Sequence, residues 1–409
     1  MFQLLIGATA VAAALLVPTA SAAPLTLKAA LDRAVQRSEA ARGARASLQS
    51  ASEAAQAAAQ LPDPTLRAGI ENLPVTGGAR FSTTRDSMTM KRVGISQEWL
   101  SRDKRVARQA AADAVVSKEA VQAQIAAADA RVQTALAYLD AYYAGQALQL
   151  TTLMEHHAHE EYEAARARLA SATGGSEEAL KLAAARGMAE DESAELRQQR
   201  SSAAVALERW IGVPPDDLDA VPALPTPSQS EYVSGDPMVV SLQREIDVAR
   251  GAAAVAATNR SPNWTWEVSY GQRTGYSDMV TVGVSIPIPI APEARQDRET
   301  ASKLALASKA EADLAEATRS ATADYLSLVG DVQRLEERIS HYRTSVLASA
   351  QQRTATAIAA YRSNQASLVV LFEARHAEVD VQRKLLNLQR DLAKRRAQLA
   401  FRPIQGGAL

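Results

Sequence analysis

The chain has 409 residues, no cysteine, four tryptophans, 4% aromatic content and a formal net charge of -1. Near-neutral charge gives no electrostatic footprint for a nucleic-acid partner, and the absence of thiols excludes disulfides, thiolate metal centres and a cysteine-borne lipid anchor. Alanine makes up much of the 47% hydrophobic share, which favours thin, closely approaching helices over bulky globular cores.

Residues 1–22 have the form of a cleaved export signal. The apolar run Leu4 to Val17 is followed by Pro18 and the small-residue pattern Ala20-Ser21-Ala22, so the mature chain is expected to begin near Ala23. Beyond Ala23 no apolar stretch approaches the roughly 18 residues that a membrane-spanning helix needs. Any insertion into a membrane must use strands.

The remainder divides into two halves that echo each other at a period of about 190 to 200 residues. Leu61-Pro62-Asp63-Pro64-Thr65-Leu66 matches Ser261-Pro262-Asn263-Trp264-Thr265-Trp266, and Val93-Gly94-Ile95-Ser96 matches Val282-Gly283-Val284-Ser285. A third echo pairs Ser176 to Leu180 with Ser367 to Leu371. The first repeat, 23–214, is predicted as a helix from Leu27 to Gln60, strands near 64–73 and 88–99, and a long helix near 102–170. A tip at 171–176 and a return helix over 176–211 complete it, stopped by Gly212-Val213-Pro214-Pro215. A polar connector, 215–235, leads to the second repeat, 236–409. That repeat is predicted to hold strands near 264–271 and 279–290, a long helix near 293–362, a tip at 363–367 and a return helix over 367–402.

The long helices carry coiled-coil spacing. Val121, Ile125, Ala128, Val132, Ala135 and Leu139 step by four and three, as do Val381, Leu385, Leu388 and Leu392, with Leu399 one heptad further on. A helix of roughly 70 residues is about 100 Å long, more than a globular domain requires. The two shorter helices of the first half together match that length, which predicts a tall wall with the short helices stacked end to end beside the long one.

In the strands Trp264, Trp266, Val268 and Tyr270 alternate with Thr265, Glu267 and Ser269. Val280, Val282, Val284, Ile286, Ile288 and Ile290 alternate with Thr281, Gly283, Ser285, Pro287 and Pro289. Such alternation places two different environments on the two sides of a sheet, as lipid and a wet lumen do in a membrane barrel. The first strand pair is less regular: Met88 and Met90 are out of phase with Val93, Ile95 and Trp99 unless a bulge lies near Lys91. Both methionines are expected to pack toward lipid. Four strands cannot close a barrel, and open edges cannot face lipid, so several copies must close one together. Three copies supply twelve strands and begin to leave room for a channel.

Further stretches carry a family resemblance. Leu25-Thr26-Leu27-Lys28-Ala29-Ala30-Leu31, Val93-Gly94-Ile95-Ser96-Gln97-Glu98 with Lys104-Arg105, Ala206-Leu207-Glu208-Arg209-Trp210-Ile211-Gly212 and Ile286-Pro287-Ile288-Pro289 resemble landmarks of the TolC-family outer-membrane efflux proteins, nearest their heavy-metal branch. The turn Tyr361 to Leu371 is similar to that family's periplasmic tip, with Asn364 where glycine is usual and Val370 where aspartate is common.

The resemblance implies a fold that is mainly α with a membrane β-barrel portion: a homotrimer whose twelve-stranded barrel in the outer-membrane lipid continues as a periplasmic α-helical barrel. It implies a membrane-fusion adaptor at the tips and an inner-membrane RND pump beyond it. Gly174, Gly175, Ser176, Leu180, Asn364, Ser367 and Leu371 are then the expected adaptor-contacting residues.

Nothing in the chain suggests an enzyme or a cofactor: there is no phosphate loop, zinc-protease helix or nucleophile elbow. His156, His157 and His159, followed by Glu160 and Glu161, are the candidate metal ligands, because positions three and four apart share a helical face. Glu177, Glu178 and Glu373 are candidates for cation-attracting rings in an oligomer. A multidrug or type I secretion channel of the same fold is the alternative within the class. A soluble periplasmic coiled-coil adaptor or scaffold is the alternative outside it, and such a protein has no use for the aromatic face of the Trp264 strand.

Overall fold

A computed structural model describes residues 24–215 and 217–404, so the expected leader at 1–22 lies outside the described residues. In chain order the elements are α1 (Leu27–Arg37), α2 (Glu39–Ala58), β1 (Thr65–Glu71), β2 (Met90–Trp99), α3 (Arg102–Ala170) and α4 (Ser176–Ile211). The second half follows with α5 (Gln229–Ser234), α6 (Pro237–Thr258), β3 (Trp264–Gln272), β4 (Met279–Ser285), α7 (Gln296–His341), α8 (Ala348–Arg362) and α9 (Leu368–Phe401).

The long helix α3 forms over 69 residues because little interrupts it. The Ser101 side chain accepts from the Lys104 amide at 3.2 Å to start it, Asp103 sits favourably in its first turn, and Gly145 is its only glycine. Both α1 and α2 lie along the strand-proximal part of α3 and α4 along the remainder, with α1 meeting α4. The predicted end-to-end stacking is therefore present. Of the coiled-coil stripe, Val121, Ala128, Ala135 and Leu139 on α3 and Leu385, Leu388 and Leu399 on α9 are buried. Between α3 and α6 the backbones come close: a Cβ at Gly251 would stand 3.0 Å from Ala111 Cα, so only a small residue fits.

Several expectations need correction. The single helix Leu27–Gln60 is two helices, because Ser38 turns extended and its Oγ accepts from the Ala41 amide at 3.2 Å, capping α2. The last strand stops at Ser285 rather than near 290, since Pro287 and Pro289 have no N–H to offer a ladder. The predicted helix 293–362 begins at Gln296 after a short tight turn at Pro292–Ala294 and widens into one π-helical turn over Tyr342–Leu347. The connector carries structure of its own: Ser228 and Glu231 form a reciprocal capping box for α5, and Leu218 makes a parallel bridge with Leu25.

The strands make one antiparallel sheet in the order β1-β2-β3-β4, so the central β2–β3 pair joins the two repeats. Its registers run without interruption from Thr65↔Ser96 to Glu71↔Met90 and from Lys91↔Gln272 to Trp99↔Trp264, so there is no bulge near Lys91.

The two largest hydrophobic clusters hold the helices together. A belt at mid-height gathers Leu27, Leu31, Ala135, Tyr138, Leu139, Leu207 and Ile211. There the buried Tyr138 hydroxyl lies 2.6 Å from the Leu25 carbonyl and 2.8 Å from the Asp219 carbonyl, tying the chain start and the connector to α3. A second core, far from the sheet, packs Met154, Ala158 and Ala165 of α3 and Leu182 and Ala189 of α4 against Ala357 of α8 and Leu368, Leu371 and Phe372 of α9. Both helical hairpins meet there.

Candidate membrane sheet and helical tip

The pleat sends alternate residues to opposite faces, and the antiparallel registers align those residues in rows across the whole sheet. One row is Leu66, Ile95, Val268 and Val282; the next is Ala68, Val93, Tyr270 and Val280; a third brings Trp266 to Val284, and Trp99 stands opposite Trp264 with ring centroids 5.9 Å apart. All four strands thus contribute to one continuous apolar face. It is open to the surroundings, with Leu66 73% and Val282 72% exposed. An exposed apolar sheet of this kind needs a partner or lipid over it.

The other face is polar and more enclosed, with Ser96 and Ser269 buried. Its centre is Arg92, whose guanidinium donates to Ser269 Oγ at 2.7 Å, Glu71 Oε1 at 2.7 Å and Glu267 Oε1 at 3.2 Å. Gly94 is required beside it, because a Cβ there would stand 2.5 Å from Ser269 Cβ. Met90 belongs to this polar face, in phase with Arg92, and Met88 precedes the strand, so the expectation that both methionines face lipid fails for Met90.

At the far end the two hairpin turns share one backbone form. Thr173 N donates to Arg168 O at 2.9 Å in the first, and Gln365 N donates to Ala360 O at 2.8 Å in the second. The left-handed residue is Ala172 in one and Asn364 in the other, with φ of 56° and 59°. Gly175 and Ser367 are the N-caps of the return helices, so the repeats align Ser367 with Gly175 rather than with Ser176. Ser367 Oγ accepts from Val370 N at 3.4 Å, whereas Gly175 has no side chain to give. Gly174 comes close to the preceding helix, where a Cβ would stand 3.0 Å from Arg168 Cβ. Ser176 is exposed and Leu180 is 71% exposed, available to a partner. Leu371 is not available: it is 4% exposed and belongs to the core between the hairpins, which removes it from the expected contact set.

No sequence-family model matches the chain. Over 284 residues it is 27% identical to the cobalt-zinc-cadmium resistance protein CzcC of Cupriavidus metallidurans, a match that covers 67% of this chain. The chain spans 65% of that relative's length. Its architecture is similar to the outer membrane protein VceC of Vibrio cholerae, with a TM-score of 0.74 at 17% identity over 92% of this chain and 96% of that one. It is also similar to the open MtrE outer membrane channel of Neisseria gonorrhoeae, with a TM-score of 0.77 at 18% identity over 93% and 90% of the two chains. The fold is that of the TolC-type outer-membrane channels.

Within this TolC-type frame the remaining candidates separate. Glu177 is exposed, and its hydrogen bond from Lys181, 2.7 Å away, holds its carboxyl below the usual range. Glu373 is exposed on α9. Glu178 is engaged otherwise: its Oε1 accepts from the Leu368 amide at 2.9 Å, so a side chain of the first hairpin caps the return helix of the second. His156 and His157 lie 3.3 and 3.4 Å from Glu160 and His159 is exposed. Glu161, four residues from His157, turns inward to Arg375 at 2.7 Å instead of joining it. Among the described residues no group of three such side chains is arranged to hold a metal ion.

Sequence reasoning missed two polar knots. Arg92 was in phase with Gly94 and Ser96, so strand alternation carried its signal. Lys104, buried at the start of α3, donates to Asn263 Oδ1 at 2.8 Å and to Ser261 O at 3.2 Å, while Asn263 Nδ2 donates to Glu98 Oε1 at 2.6 Å. That knot joins residues of both repeats where sheet becomes helix, and only the fold brings them together.

Proposed function

We propose that the chain is one subunit of a homotrimeric outer-membrane duct that conducts substrate passively from a periplasmic adaptor and an inner-membrane RND pump to the outside, without catalysis. The observation that carries this reading is the four-stranded sheet, apolar and exposed on one face, polar on the other, and continuous with a helix about 100 Å long. The edges β1 and β4 are unpaired within the described chain, and unpaired backbone groups cost several kcal/mol each in lipid. Neighbouring copies satisfy them, and twelve strands leave a lumen lined by the Arg92 face. The tips, a full helix away, are then the adaptor-facing entrance.

The cargo we favour is heavy-metal cations, zinc, cobalt or cadmium rather than copper or silver. The relative in Cupriavidus metallidurans bears the name of a cobalt-zinc-cadmium resistance protein, and this chain offers imidazole and carboxylate groups but no cysteine. The localisation follows from the same reading: barrel in the outer membrane, helices in the periplasm. Heating a detergent-solubilised sample should convert a compact multimer into monomers, and a soluble periplasmic monomer would overturn the duct. Deleting the gene should lower tolerance to zinc, cobalt or cadmium. Unchanged metal tolerance with new sensitivity to dyes or antibiotics would assign the duct to multidrug export instead.

A further inference from the structure

The buried carboxylate between the two hairpins has too few partners. Glu161 on α3 is 4% exposed, and the tip core closes around it. Its Oε1 accepts from an Arg375 guanidinium nitrogen of α9 at 2.7 Å, but its Oε2 is buried with no hydrogen-bond partner among the described residues. An ionised carboxylate has about four acceptor sites to satisfy. One donor from one arginine leaves most of them unserved by the described residues.

We propose that Glu161 and Arg375 form a proton-sensitive latch between the two hairpins, packed tightly in acid and loosened toward neutral pH. The direction runs against the intuition that protonation breaks an ion pair. Burial pushes the Glu161 carboxyl up to about 7, and the opposing pull of Arg375 is the smaller effect. Where the hairpins part and water reaches Glu161, the carboxyl returns to the ordinary value near 4.3. The packed state therefore binds the proton more tightly. Its advantage is complete below about pH 4.3 and is lost as pH rises to about 7, by up to about tenfold in the packed-to-parted ratio per pH unit.

Other groups around the latch do not reverse this sign. Glu160 on the same helix opposes ionisation of Glu161. Both α4 and α8 meet the core with apolar Leu182, Ala189 and Ala357. On α9, next to Arg375, His376 stacks on Phe372 and lies 3.8 Å from Glu192 of α4 and 3.6 Å from Asp380. Arg383 also reaches Glu192, at 3.2 Å. This second charged cluster also joins the hairpins, and a variant separates its contribution from that of Glu161. The Glu178 cap on Leu368 and the Arg383–Glu192 pair continue to join the hairpins, so loosening is a hinge movement rather than dissociation.

The biological sense of the latch rests on the entrance reading above, but its test does not. The chain has no cysteine, so spin labels can be placed at Arg166→Cys on α3 and Glu373→Cys on α9, both exposed, in the full-length protein in detergent. Inter-label distances are measured at about pH 4 and about pH 8, on either side of the transition. One short distribution is expected in acid and a growing longer component at the higher pH. Glu161→Gln should keep the short distribution at both, while His376→Gln should keep the unmodified response. Identical distributions at both pH values with Glu161 in place, a shift that survives Glu161→Gln, or a shift abolished by His376→Gln would each overturn the latch. A chain that shows the shift but never enters a membrane would sink the duct and leave the latch standing; a membrane trimer with no shift would do the reverse.

Discussion

At the α3–α4 tip the left-handed position is held by Ala172 and the helix start by Gly175; at the α8–α9 tip the same positions hold Asn364 and Ser367. Asparagine tolerates the left-handed region better than alanine, and serine caps the amides that glycine leaves unserved. The second helix start also receives the Glu178 carboxylate from the first hairpin. One backbone form thus rests on two unequal sets of side chains. The shared turn hydrogen bonds preserve the shape, and the differences make the first tip the softer of the two and the second dependent on its neighbour. In the sheet, by contrast, rows of apolar residues run through both repeats, so there the halves should respond alike.

The largest effect tests that equality. Val93→Arg in the first repeat and Val282→Arg in the second each place a charge on the apolar face, at a cost of about 2–4 kcal/mol per chain if the residue lies near mid-membrane. Folding into lipid vesicles, read by heat-modifiable migration, should fail comparably for both. Tolerance of either variant would mean that this face does not meet lipid.

A smaller effect breaks the tie between the tips. Glu178→Ala removes the cap from the Leu368 amide and should destabilise the second tip by about 1–2 kcal/mol. Hydrogen exchange at Leu368 should quicken, while Val370→Ala, at the matching position of the other repeat, should leave it unchanged. Equal exchange in both variants would show that the cap across the hairpins contributes nothing.

How much of this was legible depended on range. Strand alternation at Trp264 to Tyr270 and the stop at Gly212 are written in neighbouring residues, and the structure holds a strand and a helix end there. The break at Ser38 was hidden because serine serves equally as a cap and as a tolerated helix residue, and the alanine-rich pattern continues past it. Leu371 was misplaced because helical period shows that a face is apolar without showing what covers it. Glu161 and Arg375 lie 214 residues apart, so each looked like an ordinary charge on a long helix until the two hairpins were set together.

The smallest effect sharpens the inequality of the tips. Alanine in the left-handed region costs roughly 1–2 kcal/mol relative to its preferred conformations, and glycine carries no such penalty there but loses more freedom on folding. Ala172→Gly should therefore stabilise the first tip by about 1 kcal/mol, whereas Asn364→Gly should change the second by only a few tenths. Gly175→Ser, which supplies the cap that Ser367 already provides in the other repeat, should add a few tenths. Amide exchange in the first turn of α4 is the measurement, since a tip that frays locally reports there before the whole molecule melts. If Ala172→Gly and Asn364→Gly shift exchange by the same amount, the two turns bear equal strain, and the unequal flexibility assigned to them disappears.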